Sequence, residues 1–139
     1  MTIADINMII SRHDGRPGAL LPILHDVQHE LGHVAPELVP VIAEALNLSR
    51  AEVHGVISFY HDFRNTPATK PVVKLCRAEA CQARGVEALV PQFEDDGRIE
   101  VETVYCLGLC ASGPAAMVGE RVIARLDKVS AARLIDEIV

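Results

Sequence analysis

The placement of its four cysteines constrains this 139-residue chain more than any other feature. Cys76 and Cys81 form a C-x4-C pair, Cys106 and Cys110 a C-x3-C pair, and each pair begins where strand character ends. Val72 to Leu75 is a short apolar run, and Ile99 to Val104 carries charges at alternate positions. Neighbouring strand ends can therefore surround a compact site with four sulfur ligands without bending a regular element.

What the thiols do depends on their redox surroundings. Met1 to Ile10 has no positive n-region, and nowhere do the about 18 consecutive apolar residues of a membrane span occur. The expectation is a soluble, cytoplasmic protein whose cysteines stay reduced, so metal or cluster binding ranks ahead of a structural disulfide. Thirteen basic against nineteen acidic residues give a net charge of −6, which argues against binding a phosphate backbone. No C-x-x-C pair is present, which disfavours a thiol–disulfide oxidoreductase. A [2Fe–2S] cluster needs two thiolates per iron, and two separate pairs supply them. Structural zinc also accepts four cysteines, although its loops more often show C-x2-C turns, and it stays open as the alternative.

The second pair carries further cues. In Cys106-Leu107-Gly108-Leu109-Cys110 the glycine permits positive φ and close approach of backbone N–H groups, while Leu107 and Leu109 can limit water. Arg77 and Arg84 beside the first pair would favour a reduced, more negative cluster, and Glu79 would oppose it.

Around the cysteines the chain divides. With five aromatics and no Trp, aliphatic side chains must build the core. A short helix is expected around Ala4 to Ser11. Leu20, Ile23, Leu24, Val27 and Leu31 recur at helical spacing within Gly18 to Leu31, and Gly32 ends the pattern. A second stripe, Leu38, Val39, Ile42, Ala45 and Leu46, starts near Pro36 and stops at Asn47. Ser49-Arg50-Ala51-Glu52 then has the form of a capping box. The proline-bearing stretch Asn65 to Pro71 reads as a linker. Beyond it come the first strand, a helix over Val86 to Phe93, the second strand, an antiparallel pair (Ala115 to Val118, Val122 to Leu126) turned at Gly119-Glu120, and a closing helix over Ser130 to Ile138. The predicted fold class is α/β: a helical segment over 1–66 followed by a cysteine-bearing domain over 70–139.

The wording of both loops, Cys76-Arg77-Ala78-Glu79-Ala80-Cys81 and Tyr105-Cys106-Leu107-Gly108-Leu109-Cys110, resembles the thioredoxin-like [2Fe–2S] ferredoxin family. Leu24 to Val34 and Ala51 to Phe63 are similar to that family's helical N-terminal segment, so the resemblance covers nearly the whole chain. Members include the 24 kDa-type (E) subunit of NADH:quinone oxidoreductase, the matching subunit of NAD-reducing hydrogenases, and the gamma subunit of soluble NAD-dependent formate dehydrogenases. C-R-A-E-x-C-Q and C-L-G-L-C-A most resemble the formate dehydrogenase type, since respiratory relatives usually place His where Gln82 stands; the short passage from Val86 to Thr103 points the same way.

The resemblance implies a thioredoxin-like domain with one [2Fe–2S] cluster on Cys76, Cys81, Cys106 and Cys110. It implies a non-catalytic electron-transfer subunit that docks on a flavin- and NAD-binding partner. FMN, NAD and a molybdenum or tungsten cofactor would belong to partner subunits, including the catalytic dehydrogenase subunit. It also implies a cis peptide bond before Pro114, where thioredoxin-like proteins often hold one. Two other classes compete: a zinc-stapled, non-redox adaptor, and a free-standing ferredoxin with an acidic docking face.

Other residues have plainer explanations. His25 and His29 sit at chelating spacing, but exposed or capped histidines outnumber such ligands. Phe59, Tyr60 and Phe63 suit a partner contact and core packing equally, and at least one is expected to face the flavoprotein. Asp95, Asp96, Glu100 and Glu102 read as a solvated loop and strand face.

Overall fold

Residues 3–139 are described by the computed structural model, which divides into two units, Met1–Pro67 and Ala68–Val139. The first unit is helical: α1 (Ile3–Ser11), α2 (Leu20–Leu31), α3 (Leu38–Leu46) and α4 (Arg50–Phe59). Each of the last three has a local reason for a boundary. Gly32 takes φ 75° and donates its N–H to the Gln28 carbonyl, closing α2. Asn47 takes φ 53° and closes α3, a conformation that Asn tolerates better than most residues. At the start of α4 the Ser49 hydroxyl accepts the Glu52 N–H and the Glu52 carboxylate accepts the Ser49 N–H, as the S-x-x-E pattern predicts.

These helices bury Ile6, Ile9, Ile23, Leu24, Val27, Ile42, Val53 and Ile57 in one core. One inward position differs from the sequence reading. Ala43 is buried and Ala45 exposed, so the face that α3 turns to the core is centred on Ile42 and Ala43 and not on the Ile42, Ala45 and Leu46 side of the stripe. Beyond α4, the Gln28 side chain donates to the Asp62 carbonyl and accepts the Arg64 N–H, tying the exit of the helical unit to α2.

The second unit is α/β. A four-stranded sheet has the order β2-β1-β3-β4, formed by β1 (Val72–Cys76), β2 (Glu100–Val104), β3 (Ala116–Val118) and β4 (Arg121–Ile123). β1 and β2 are parallel, with Cys76 opposite Val104, so their C-terminal ends lie side by side. β3 runs antiparallel to both β1 and β4. Between β1 and β2 the chain forms α5 (Glu79–Ala83), a 3-10 turn over Val86–Ala88, and α6 (Val90–Glu94); α7 (Lys128–Ile138) closes the unit.

The single helix expected over Val86 to Phe93 is therefore two pieces. Pro91 lacks a backbone N–H and sits in the first turn of α6, so the helical ladder cannot run through it from Val86. α5 has no counterpart in the sequence reading, since five residues are too few to show a period. The core holds Val73, Leu75, Val86, Phe93, Ala116, Ala131, Leu134 and Ile135. Register places Val73, Leu75 and Ala116 on one sheet face; Lys74, Glu102 and Met117 share the other. No helix among the described residues is long and apolar enough to cross a membrane.

Candidate cluster site

The parallel pairing of β1 and β2 places the two cysteine loops next to each other. Cys76 is the last residue of β1, and its N–H donates to the Ala115 carbonyl at 2.9 Å. The next residue, Arg77, donates its N–H to the Val104 carbonyl at 2.9 Å, so the strand end is held between both neighbours. Cys81 sits on α5, where the Gln82 side chain donates to the Arg77 carbonyl at 2.7 Å and braces the loop. Cys76 and Cys81 are each 2% exposed.

The second loop is built differently. β2 ends at Val104, two residues short of Cys106, and the chain then turns through Cys106 at φ 80° and Gly108 at φ 79°. Positive φ is unusual for cysteine, and here it aims the Cys106 N–H at the Cys76 sulfur, 3.3 Å away. Cys110 opens a 3-10 turn over Cys110–Ser112, and its sulfur lies 3.6 Å from that of Cys106. Both cysteines of this pair are exposed.

Electrostatics distinguish individual sulfurs rather than the pairs. Burial pushes the Cys76 thiol up, but the N–H groups of Ala78, Cys106 and Leu107 and the Cys81 thiol outweigh it and leave Cys76 below the usual thiol range. Cys81 is raised, first by burial and then by its hydrogen bond with Cys76. Cys110 is raised by its hydrogen bond with Cys106 and then by that sulfur's charge. The four sulfurs thus influence one another across the loops. Arg77 does not offer a free positive charge: its guanidinium makes two hydrogen bonds to Glu87, at 2.9 and 2.6 Å, with Glu94 at 3.9 Å.

A [2Fe–2S] group fits this donor set. Four thiols arrive as two pairs, backbone N–H groups point at one of them, and a cradle for another is left open by a glycine. A Cβ on Gly113 would lie 3.0 Å from the Cys81 sulfur and 3.3 Å from Arg84 Cδ, so a side chain there would crowd that sulfur. The next peptide bond, Gly113-Pro114, is cis, as expected. His25 packs its ring 5.1 Å from Phe63.

The sequence reading missed Gly113, the Arg77–Glu87 pair and the helical form of the first loop. A glycine directly before Pro114 was the available signal for the first; the pair, ten residues apart and across a turn, left none. Of the three clustered aromatics, Phe63 is buried, whereas Phe59 is 74% and Tyr60 42% exposed. Tyr105, beside Cys106, is 75% exposed. Asp95 is exposed, while Asp96 is half-buried and accepts hydrogen bonds from Arg98.

Known proteins share this architecture. The chain is 32% identical over 118 residues to the HndA subunit of the NADP-reducing hydrogenase of Solidesulfovibrio fructosivorans, covering 77% of this chain and 69% of that one. It is 30% identical over 145 aligned positions to the E-type subunit of the NADH-quinone oxidoreductase of Mycobacterium tuberculosis, covering 96% of this chain but 58% of the relative. The crystal structure of an NAD+-reducing [NiFe]-hydrogenase in the H2-reduced state superposes with a TM-score of 0.72 at 26% identity, covering 86% of this chain and 22% of that polypeptide. The model of the thioredoxin-like [2Fe–2S] ferredoxins matches residues 6–139, and with sheet, loops and cysteines in agreement the chain belongs to that family.

Proposed function

We propose that the chain is an electron-transfer subunit that holds one [2Fe–2S] cluster on Cys76, Cys81, Cys106 and Cys110. One observation carries this reading: two cysteine pairs, spaced as two thiolates per iron, meet at adjacent parallel strand ends. When bound, the cluster supplies a one-electron carrier. The chain's own residues do the rest. The four thiolates hold it, the Cys106 N–H donates to the Cys76 sulfur and so favours added negative charge, and half-buried Leu107 and Leu109 limit water. Cys106 and Cys110 face solvent beside Tyr105, which makes this side the shorter path to a flavin- and NAD-binding partner.

For the parent complex we favour an NAD-dependent formate dehydrogenase, with FMN, NAD and a molybdenum or tungsten cofactor on the partner subunits. The support is the wording of the two loops, with Gln82 after Cys81. A second reading, a subunit of an NAD-linked hydrogenase or of NADH:quinone oxidoreductase, is favoured by the names of the relatives. That the relatives are named as subunits of larger enzymes supports a component of such a complex, rather than a free shuttle.

Anaerobic purification with iron, sulfide and zinc analysis and electron paramagnetic resonance tests the cluster. About two irons and two sulfides per chain, with a rhombic signal only after dithionite, is the expected result. A colourless protein with about one zinc overturns it. Affinity purification from the source cell separates the parent complexes: co-purifying formate:NAD activity supports the first, hydrogenase or quinone-reducing activity the second.

A further inference from the structure

The two cysteine pairs differ in the access they give to an oxidant. Cys76 and Cys81 are buried in the core of the second unit. Cys106 and Cys110 are exposed, and their sulfurs lie in van der Waals contact at 3.6 Å. The segment between them is held by its own backbone. Cys106 is tied to Cys76 through its N–H, the Ser112 N–H donates to the Leu109 carbonyl at 2.8 Å, and the Arg125 N–H donates to the Ser112 carbonyl at 2.7 Å. Both side chains are exposed, and rotation about their own bonds closes that gap to bonding distance, about 2.0 Å.

We propose that Cys106 and Cys110 are an oxidation site: in the chain without its cluster they close into an intramolecular disulfide that blocks cluster loading, while Cys76 and Cys81 remain thiols. The inference rests on the cluster reading for its consequence but not for its chemistry. The oxidant is a low-molecular-weight disulfide such as oxidised glutathione. One exposed thiolate attacks a sulfur of that disulfide, forming a protein–glutathione bond and releasing one glutathione thiolate, which takes up a proton. The second protein thiolate then attacks the protein-side sulfur, forms the Cys106–Cys110 bond and releases the second glutathione thiol. The pair loses two electrons and two protons, and one glutathione disulfide becomes two thiols. Exposure and a neighbouring resolving thiol decide which pair reacts.

Trypsin makes the test direct, because Cys106 and Cys110 share the peptide 99–121, whereas Cys76 lies in 75–77 and Cys81 in 78–84. The full chain is stripped of iron under reduction, exposed anaerobically to oxidised glutathione, alkylated and mapped by mass spectrometry. The expected result is a fall from four labelled cysteines to two, with peptide 99–121 lighter by two hydrogens and both other cysteines alkylated. Ferrous iron and sulfide then restore the visible absorption only after dithiothreitol. Four labelled cysteines, a disulfide that includes Cys76 or Cys81, or glutathione retained on Cys106 or Cys110 overturns the proposal. As a second variant, Cys106→Ser should hold one glutathione on Cys110 and form no disulfide; an unmodified Cys110 counts against the site. A fully reduced chain that takes up no iron and sulfide overturns the cluster reading instead, and the thiol map still decides the oxidation site.

Discussion

The first cysteine loop runs into a short helix, buries both its cysteines and is braced from within, whereas the second turns through two left-handed residues and leaves both its cysteines exposed. Cys76 and Cys81 belong to the core of the second unit as well as to its site. Cys106 and Cys110 belong to the site alone. Each loop holds two sulfurs, but one does so with residues the fold cannot do without and the other with residues it can. Assembly of the site therefore depends on the core at one side and on local backbone geometry at the other.

Replacing a cysteine from each loop breaks this comparison most severely. Cys76→Ser and Cys106→Ser should both abolish normal iron and sulfide content. The iron-free forms should differ: burying a hydroxyl in place of Cys76 destabilises by about 1–3 kcal/mol, while Cys106→Ser stays within about 0.5 kcal/mol of the parent, as surface substitutions do. Urea denaturation of the iron-free variants measures both, and equal losses would show that the loops are equally part of the core.

Two glycines sharpen the point. Gly113→Ala places a methyl 3.0 Å from the Cys81 sulfur and 3.6 Å from its Cα, so the braced loop must shift at a cost of about 1–3 kcal/mol and iron content should fall. Gly108→Ala meets nothing within 4 Å and is penalised only through φ 79°, by about 1–2 kcal/mol. Its iron content should stay close to the parent's. The same methyl thus tests crowding in one loop and backbone conformation in the other.

The contrast also governs what could be read from sequence. Helices report themselves through spacing, so α2, α4 and α7 were legible from apolar periods and one capping box. The antiparallel turn at Gly119-Glu120 was equally plain. Four cysteines after strand-like runs implied a shared site, because strand ends are local and parallel pairing brings them together. The rest depended on tertiary geometry. α5 is too short to have a period, Gly113 matters only because Cys81 folds against it, and Arg77 meets Glu87 across a turn. The capping box of Asp127 and Ser130 is local but reverses the usual residue types, with the acid at the cap and the hydroxyl three residues on.

A cap in the helical unit is the internal control. Ser49→Ala removes the acceptor for the Glu52 N–H and should cost about 1 kcal/mol by thermal denaturation, with no change in iron content. Hydrogen bonds from the Ser49 N–H and hydroxyl depress the Glu52 carboxyl below its usual range. A depressed carboxyl stabilises the fold above its unfolded pKa and loses that contribution as pH falls through its folded pKa. The difference between parent and variant should therefore shrink in acid.

The smallest effect concerns the charge beside the first loop. Glu87 is depressed by its hydrogen bonds from Arg77 and then by that residue's charge, so it is ionised throughout the neutral range and offsets the guanidinium. Glu87→Gln keeps the shape and removes the negative charge, leaving Arg77 less compensated beside a site that gains negative charge on reduction. The midpoint potential should move upward in a mediated titration followed by electron paramagnetic resonance, and Arg77→Gln should move it downward. Because Glu87 is exposed and Arg77 only half-buried, raising the salt should reduce both shifts. Shifts that share one sign, or that persist unchanged in high salt, would mean that the substitutions act by moving the loop and not through its charge.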